Sequence, residues 1–126
     1  MYELNVKAEF EAAHQIDGYK GKCQRLHGHN WTVEAIVCGS ELDELGMLID
    51  FKILKAELNA VLEKLDHRYL NELPTFKLKN PTAENLAKYI FGELEESEVF
   101  SKSKAHLKAI KVHESPRSCV TYTSTD

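Results

Sequence analysis

The sequence predicts an α+β fold, a small antiparallel sheet with two helices on one face. Three observations carry this. Residues 2–13 and 27–38 alternate between two parities, the pattern of half-buried strands. Residues 51–65 and 82–94 repeat apolar side chains at helical spacing. Two further strand-like runs, "HLKAIKVHES" and "SCVTYTS", close the chain. The predicted order is β-β-α-α-β-β in a single domain over residues 1–126, a length that suits one core better than two.

In the first strand Tyr2, Leu4, Val6, Ala8, Phe10 and Ala12 share one parity, while Glu3, Asn5, Lys7, Glu9 and Glu11 share the other. His14 follows on the apolar parity, at or just beyond the strand's end. The glycines and charges of "QIDGYKGKCQRL" mark a loop. In the second strand His27, His29, Trp31, Val33, Ala35 and Val37 share a face. "GSELDELG" is a turn, and "MLIDF" is a short apolar run that reaches Asp50. Asp50 suits an N-cap, and Phe51, Leu54, Leu58, Val61, Leu62 and Leu65 are expected to form the buried stripe of the first helix. "NELPTFKLKNP" is a loop. Thr82 can cap the second helix, whose stripe is Leu86, Ala87, Ile90 and Leu94. The last two strands meet at a turn of Ser115, Pro116 and Arg117. Cys38 and Cys119 are expected half-buried, and His106 and His113 at the surface. One sheet face is left for something else, such as another subunit.

Composition narrows the function classes. A formal net charge of -4 argues against a general nucleic-acid binder. No apolar run approaches the roughly 18 residues that span a bilayer. "MYELNVKAEF" lacks the basic start and apolar block of a secretory leader. Three cysteines, at positions 23, 38 and 119, have no framework spacing, so a reducing cytoplasm is the expected setting.

"CQRLHGHNW" carries the chemistry. On a strand, His27 and His29 point the same way, with Cα atoms roughly 6.6 Å apart. Two imidazoles at that spacing can converge on one ion. Gly28 between them tolerates a close backbone approach. Pairing of the first two strands would bring His14 to the same place. Three nitrogen ligands leave a fourth position open, the pattern of a catalytic zinc, although nickel, copper or iron also take imidazole. Zinc is preferred because a thiol is near and no redox role is evident. Cys23 has two open roles, a fourth ligand of a closed site or a thiolate activated by the metal and by Lys20, Lys22 and Arg25. A closed site would make the chain a metal-binding module; an open one would make it an enzyme. Asp66 and His67 in "KLDHRYL" can be an orienting carboxylate and a base, or a solvated helix end. Glu114 in "VHES" can accept two parallel N–H bonds from a guanidine-like ring edge, or sit in solvent.

Together these motifs resemble the 6-pyruvoyltetrahydropterin synthase family. The resemblance rests on "FEAAH", Cys23-x-x-x-His27-Gly28-His29, "GMLIDF", "LDHRYLN", "NPTAEN" and the late Glu114, in that order, and covers nearly the whole chain. The short spacing from Cys23 to His27 favours the 6-carboxytetrahydropterin synthase branch of the queuosine (7-deazapurine) pathway. Two departures are visible: the tail "TSTD", and Ala83 where some relatives carry a hydroxyl, which leaves Thr82 as the hydroxyl of that segment. The resemblance implies the tunnelling fold, in which three subunits close a barrel and two trimers form a homohexamer with active sites between subunits. It implies Zn2+ on His14, His27 and His29, and 7,8-dihydroneopterin triphosphate as substrate. It makes Cys23 the proton-abstracting base, His67 with Asp66 its partner, and Glu114 and Thr82 the substrate-binding residues. Lys20, Lys22 and Arg25 would supply a positive field for the triphosphate. A pyruvoyl-forming synthase that releases triphosphate only is the alternative. A zinc hydrolase fits less well, because Cys23 would have no task in it.

Overall fold

A computed structural model describes residues 1–18 and 25–124. Strand β1 (Tyr2–His14) and strand β2 (His27–Gly39) pair antiparallel along their whole length, from Tyr2 opposite Gly39 to His14 opposite His27. Helix α1 (Phe51–Leu62) follows, then the two-residue strand β3 (Arg68–Tyr69) and two single 3₁₀ turns at 70–72 and 74–76. Helix α2 (Ala83–Glu95), the short helix α3 (Glu98–Ser101) and the hairpin of β4 (His106–Ser115) and β5 (Ser118–Thr123) complete the chain. The sheet order is β3-β1-β2-β4-β5.

The expected α+β architecture is present, with three differences. The sheet is not wholly antiparallel, because β3 pairs parallel with Ala12 and Ala13 of β1. Two residues are too few for any periodicity to show in the sequence. Helix α3 was not predicted either; its four residues start from Ser97, whose hydroxyl accepts from Val99 N. Helix α1 ends at Leu62 rather than 65, and the chain passes into turns, although Leu65 stays fully buried.

Alternation sets the two faces. Val6, Ala8, Phe10 and Ala12 of β1 and Trp31, Val33, Ala35 and Val37 of β2 are buried against the helices. Asp50 Oδ1 accepts from Lys52 N at 2.7 Å and caps α1, which buries Leu54, Leu58, Val61 and Leu62. Phe51 departs from expectation: it is 57% exposed. As the first helical residue it lies over a surface groove lined by Tyr2, Leu4, Leu42 and Met47 rather than over the core. Thr82 Oγ1 accepts from Asn85 N at 3.1 Å and caps α2, which buries Ala83, Leu86, Ala87, Ile90, Phe91 and Leu94. No helix among the described residues is long and apolar enough to cross a membrane.

The opposite sheet face is polar, yet it contains one buried charge. Glu34 is hydrogen-bonded by Asn5 Nδ2 at 3.0 Å and by His113 Nε2 at 2.8 Å. Burial alone would raise its carboxyl pKa, but the bonds from His113 and Asn5, with Lys7 nearby, hold it below the ordinary value. His113 is therefore half-buried and paired, not a plain surface residue. His106 is exposed and Cys38 half-buried as expected, whereas Cys119 is exposed. Cys119 lies on the edge strand, opposite His113 on β4, so only one neighbouring strand covers it.

The cap on α1 gives a direct check. Asp50→Ala should lower the unfolding free energy by about 1 kcal/mol in urea titration. Asp50→Asn, which keeps the acceptor, should retain most of it.

Candidate metal centre and active site

His14, His27 and His29 meet at one end of the β1–β2 ladder. His14 lies directly opposite His27, and Ala12 opposite His29, so the three imidazoles share the helix-side face. Trp31 forms their floor: it is fully buried, packs parallel to Phe10, and meets the rings of His14 and His29 at steep angles. The chain just after His14 is fastened at two points. Asn71 Oδ1 accepts from Gln15 N at 2.9 Å, and Asn71 Nδ2 donates to Gln15 O at 2.7 Å. Asn80 binds the N–H and C=O of Asp17 in the same reciprocal way. This fastening puts the carbonyl of Pro81 beside His14, one residue before the Thr82 cap.

The hydrogen bonds determine which nitrogens are free. His14 Nδ1 lies 2.8 Å from Pro81 O, and His27 Nδ1 lies 2.7 Å from Arg25 O. A carbonyl oxygen only accepts, so both Nδ1 atoms carry the proton. Both Nε2 atoms then present lone pairs, and they face each other at 2.9 Å. Two lone pairs at that distance repel unless a cation lies between them. Among the described residues His29 Nε2 is buried without a hydrogen bond, and Glu114 Oε1, 3.2 Å away, is badly aligned for one. The ligand atoms of His14, His27, His29 and Glu114 all lie within 4.8 Å of one another. Nitrogens on a tetrahedral zinc are separated by about 3.3 Å. The orphaned nitrogens, the facing lone pairs and the carbonyl-backed rings fit a bound metal ion.

Electrostatics point the same way. Burial pushes the His14 imidazole pKa below its usual value; the neighbouring imidazoles add to this, and the bond to Pro81 opposes it. Burial lowers that of His29 too, opposed by Glu114. Both rings are thereby held neutral, the form that binds metal.

Glu114 shares the parity of buried Ile110 and Val112 and lies at an irregular point of the sheet. The β4–β5 register shifts between His113 and Ser115, leaving Glu114 as the extra residue of a bulge. Alternation directs His113 to the polar face and Glu114 to the histidine face. Gly28 differs from expectation. A Cβ there would meet nothing within 4 Å, so close backbone approach within the chain does not require glycine. It lines the floor of a groove instead.

Asp66 and His67 face each other, with Asp66 Oδ2 3.0 Å from His67 Nδ1. His67 has φ +56°, a left-handed conformation uncommon outside glycine. Its N–H donates to Glu11 O at 2.6 Å, and Glu11 N donates to Asp66 Oδ1 at 2.9 Å. The backbone bond from Glu11, and secondly the contact with His67, hold the Asp66 carboxyl below its usual range. An open groove of 640 Å³ runs past Glu11, Gly28, His29, Asn30, His67 and Arg68. By alternation Glu11, Gly28 and Asn30 belong to the sheet face opposite the three histidines. Within one chain, among the described residues, no hydrogen bond or ion pair joins His67 to that cluster. Cys23, with Lys20 and Lys22, lies outside the described residues, and Arg25 is exposed. Asn71, Asn80, Pro81 and Glu11 were not anticipated as site-building residues. The asparagines of "LDHRYLN" and "NPTAEN" were the available signal for the first two; the roles of Pro81 and Glu11 run through main-chain atoms, which no residue type announces.

A five-stranded sheet with helices on one face and a histidine-rich pocket at its end defines a small α+β enzyme scaffold with a candidate metal centre. The family model for 6-pyruvoyl tetrahydropterin synthase matches residues 3–125, and the chain belongs to that family. It is 41% identical over 104 residues to the 6-carboxy-5,6,7,8-tetrahydropterin synthase of Synechocystis sp., covering 79% of each chain. It is 33% identical over 126 residues to the protein of that name from Bacillus subtilis, covering 96% of this chain and 84% of the relative. The solved structure of Caenorhabditis elegans 6-pyruvoyl tetrahydropterin synthase superposes with a TM-score of 0.83 at 30% identity, covering 98% of this chain and 96% of that one. The chain is thus an enzyme of a pterin synthase family.

Two outcomes follow from the cluster. His29→Ala should weaken metal retention at least roughly tenfold, read as metal per chain by elemental analysis after dialysis. In metal-free protein the unfolded histidines titrate near 6.5, above the lowered folded values of His14 and His29. The unfolded state then binds more protons, so stability should fall as pH drops below about 6.5. Thermal unfolding from pH 8 to 5.5 would show this as a declining Tm, a decline weakened in His14→Ala.

Proposed function

We propose that the protein is a zinc-dependent 6-carboxytetrahydropterin synthase, a carbon–oxygen and carbon–carbon lyase. It takes 7,8-dihydroneopterin triphosphate and water to 6-carboxy-5,6,7,8-tetrahydropterin, acetaldehyde and triphosphate, in queuosine (7-deazapurine) biosynthesis. The observation that carries the metal-dependent reading is the convergence of three imidazoles, with the Nε2 atoms of His14 and His27 facing each other at 2.9 Å and His29 Nε2 buried without a hydrogen bond among the described residues. The carboxypterin outcome is supported by the names of the similar proteins from Synechocystis and Bacillus subtilis.

His14, His27 and His29 would hold the ion. When bound, zinc would supply a Lewis acid that makes the C–H beside the pterin ring easier to ionise. Cys23 takes that proton as a thiolate. His67, its ring set by Asp66, is the partner acid or base. Glu114 accepts two parallel N–H bonds from the amino-pyrimidine edge, and Thr82 contributes at the substrate side of the α2 cap. Because Glu114 rests beside His29, a pterin edge held there brings the reacting side chain over the histidines. Lys20, Lys22 and Arg25 favour the triphosphate.

The assembly reading is a single tunnelling-fold domain in which three subunits close a barrel and two trimers stack into a hexamer, in the cytoplasm, without nucleic acid or membrane. Among the described residues the outer edge of β1 from Tyr2 to Phe10 and the edge strand β5 are unpaired, and these open ladders, available for pairing, support it. Among the described residues no hydrogen bond or ion pair joins His67 to the histidine cluster, although His29 and His67 line one groove, and this supports active sites completed by a neighbouring subunit.

A second reading, 6-pyruvoyltetrahydropterin synthase activity releasing triphosphate only, draws on the likeness to the Caenorhabditis elegans enzyme. Incubation with 7,8-dihydroneopterin triphosphate separates the two. Acetaldehyde with a carboxypterin is expected; triphosphate without acetaldehyde would establish the second reading. Cys23→Ala should keep its metal and lose at least about 100-fold in turnover. Loss of metal instead would make Cys23 a ligand of a closed site.

A further inference from the structure

We propose that Glu11 is a positioning and proton-exchange residue for His67, passing protons between the imidazole Nε2 and water. The inference rests on the reading of His67 as the acid or base of the reaction. Four contacts argue for it. Asp66 Oδ2 lies 3.0 Å from His67 Nδ1, so that nitrogen is committed and Nε2 is the one left to exchange protons. Glu11 Oε2 lies 3.4 Å from Nε2, on the side of the ring away from Asp66. The main chain of Glu11 builds the same corner: its carbonyl accepts from His67 N, and its N–H donates to Asp66 Oδ1. One residue therefore fixes the backbone of both members of the pair and presents its carboxylate to the open ring nitrogen.

Exposure decides what the carboxylate can do. The Glu11 side chain is 61% exposed and the His67 side chain 73%, so an ion pair between them adds little to stability. Within one chain the same exposure leaves Glu11 room to turn from Nε2 to solvent and back. Each turnover leaves His67 with one proton gained from, or given to, the substrate. In resetting after a gain, the Nε2–H bond breaks, an O–H bond forms on Glu11 Oε2, and the proton passes to water. After a loss the sequence runs in reverse. No redox partner is required. The groove that carries both residues also passes Gly28 and Asn30, with Arg68 next to His67 as its fixed cation.

The test is Glu11→Gln in the full-length, metal-loaded assembly, assayed by triphosphate release from 7,8-dihydroneopterin triphosphate. Glutamine keeps the shape and the main-chain bonds but cannot carry the proton. Expected are a fall in kcat of about tenfold or more, KM within about twofold, unchanged thermal unfolding, and recovery of kcat with added formate or imidazole. Glu11→Asp should retain part of the rate without added buffer. Unaltered kcat in Glu11→Gln, or a loss that neither formate nor imidazole repairs, would overturn the proposal. If the wild type turns over but His67→Gln is equally active, the assignment of His67 fails and takes the role of Glu11 with it. An inactive wild type refutes the proposed function and this role together.

Discussion

The antiparallel ladder between β1 and β2 is the constraint on which the site depends. Its thirteen-residue strands place His14 opposite His27 and put His29 two residues further on the same face. Side chains alternate with a period of two, so a one-residue slip would send His14 to the polar face while His27 stayed. The hydrophobic pattern forbids that slip. Val6, Ala8 and Phe10, opposite Ala35, Val33 and Trp31, and Ala12, opposite His29, would leave the core. At the order of 1.5–3 kcal/mol for each large apolar side chain, burial defends the histidine register. The same interactions that hold the sheet therefore position three nitrogens for a metal.

A second layer of contacts prepares those nitrogens. Carbonyls of Pro81 and Arg25 fix the tautomers of His14 and His27, and burial above Trp31 disfavours their protonated forms at His14 and His29. The metal-free cluster is electrostatically unsatisfied as a result. Two lone pairs meet at 2.9 Å, and a buried nitrogen has no hydrogen bond among the described residues. Such a site is kept by the surrounding fold rather than by its own interactions, through Asn71, Asn80 and the α2 cap. The positive φ at His67 is a related case, a local cost carried by the bonds that Asp66 and His67 make to Glu11.

Chemistry-bearing side chains occupy both faces of the sheet. The histidines and Glu114 face the helices, whereas Glu11 and the groove beside Asp66 and His67 face the other way. Membership of the 6-pyruvoyl tetrahydropterin synthase family gives that division a functional sense. Within one chain the two kinds of group approach only along the groove that His29 and His67 both line. The polar network of Asn5, Glu34 and His113 shows that this second face is already structured within one chain.

Much of this was legible in the sequence, because period-two and helical patterns report burial directly. They located β1, β2, both capped helices and the final hairpin, and strand parity alone aligned His14 with His27 and His29. Features without periodicity could not be read. Strand β3 has two residues, α3 has four, and the bulge that leaves Glu114 unpaired with β5 is a matter of pairing rather than composition. Phe51 fits the helical stripe yet lies outside the core, because a stripe says nothing about where the partner surface ends. The sequence by itself determined which residues share a face and which types could hold a metal. Only the tertiary structure decided the protonated nitrogen on each ring, the approach of Glu114, and the attachment of Asp66 and His67 to Glu11. Those depend on main-chain carbonyls and amides brought together from distant positions, which side-chain identities do not encode.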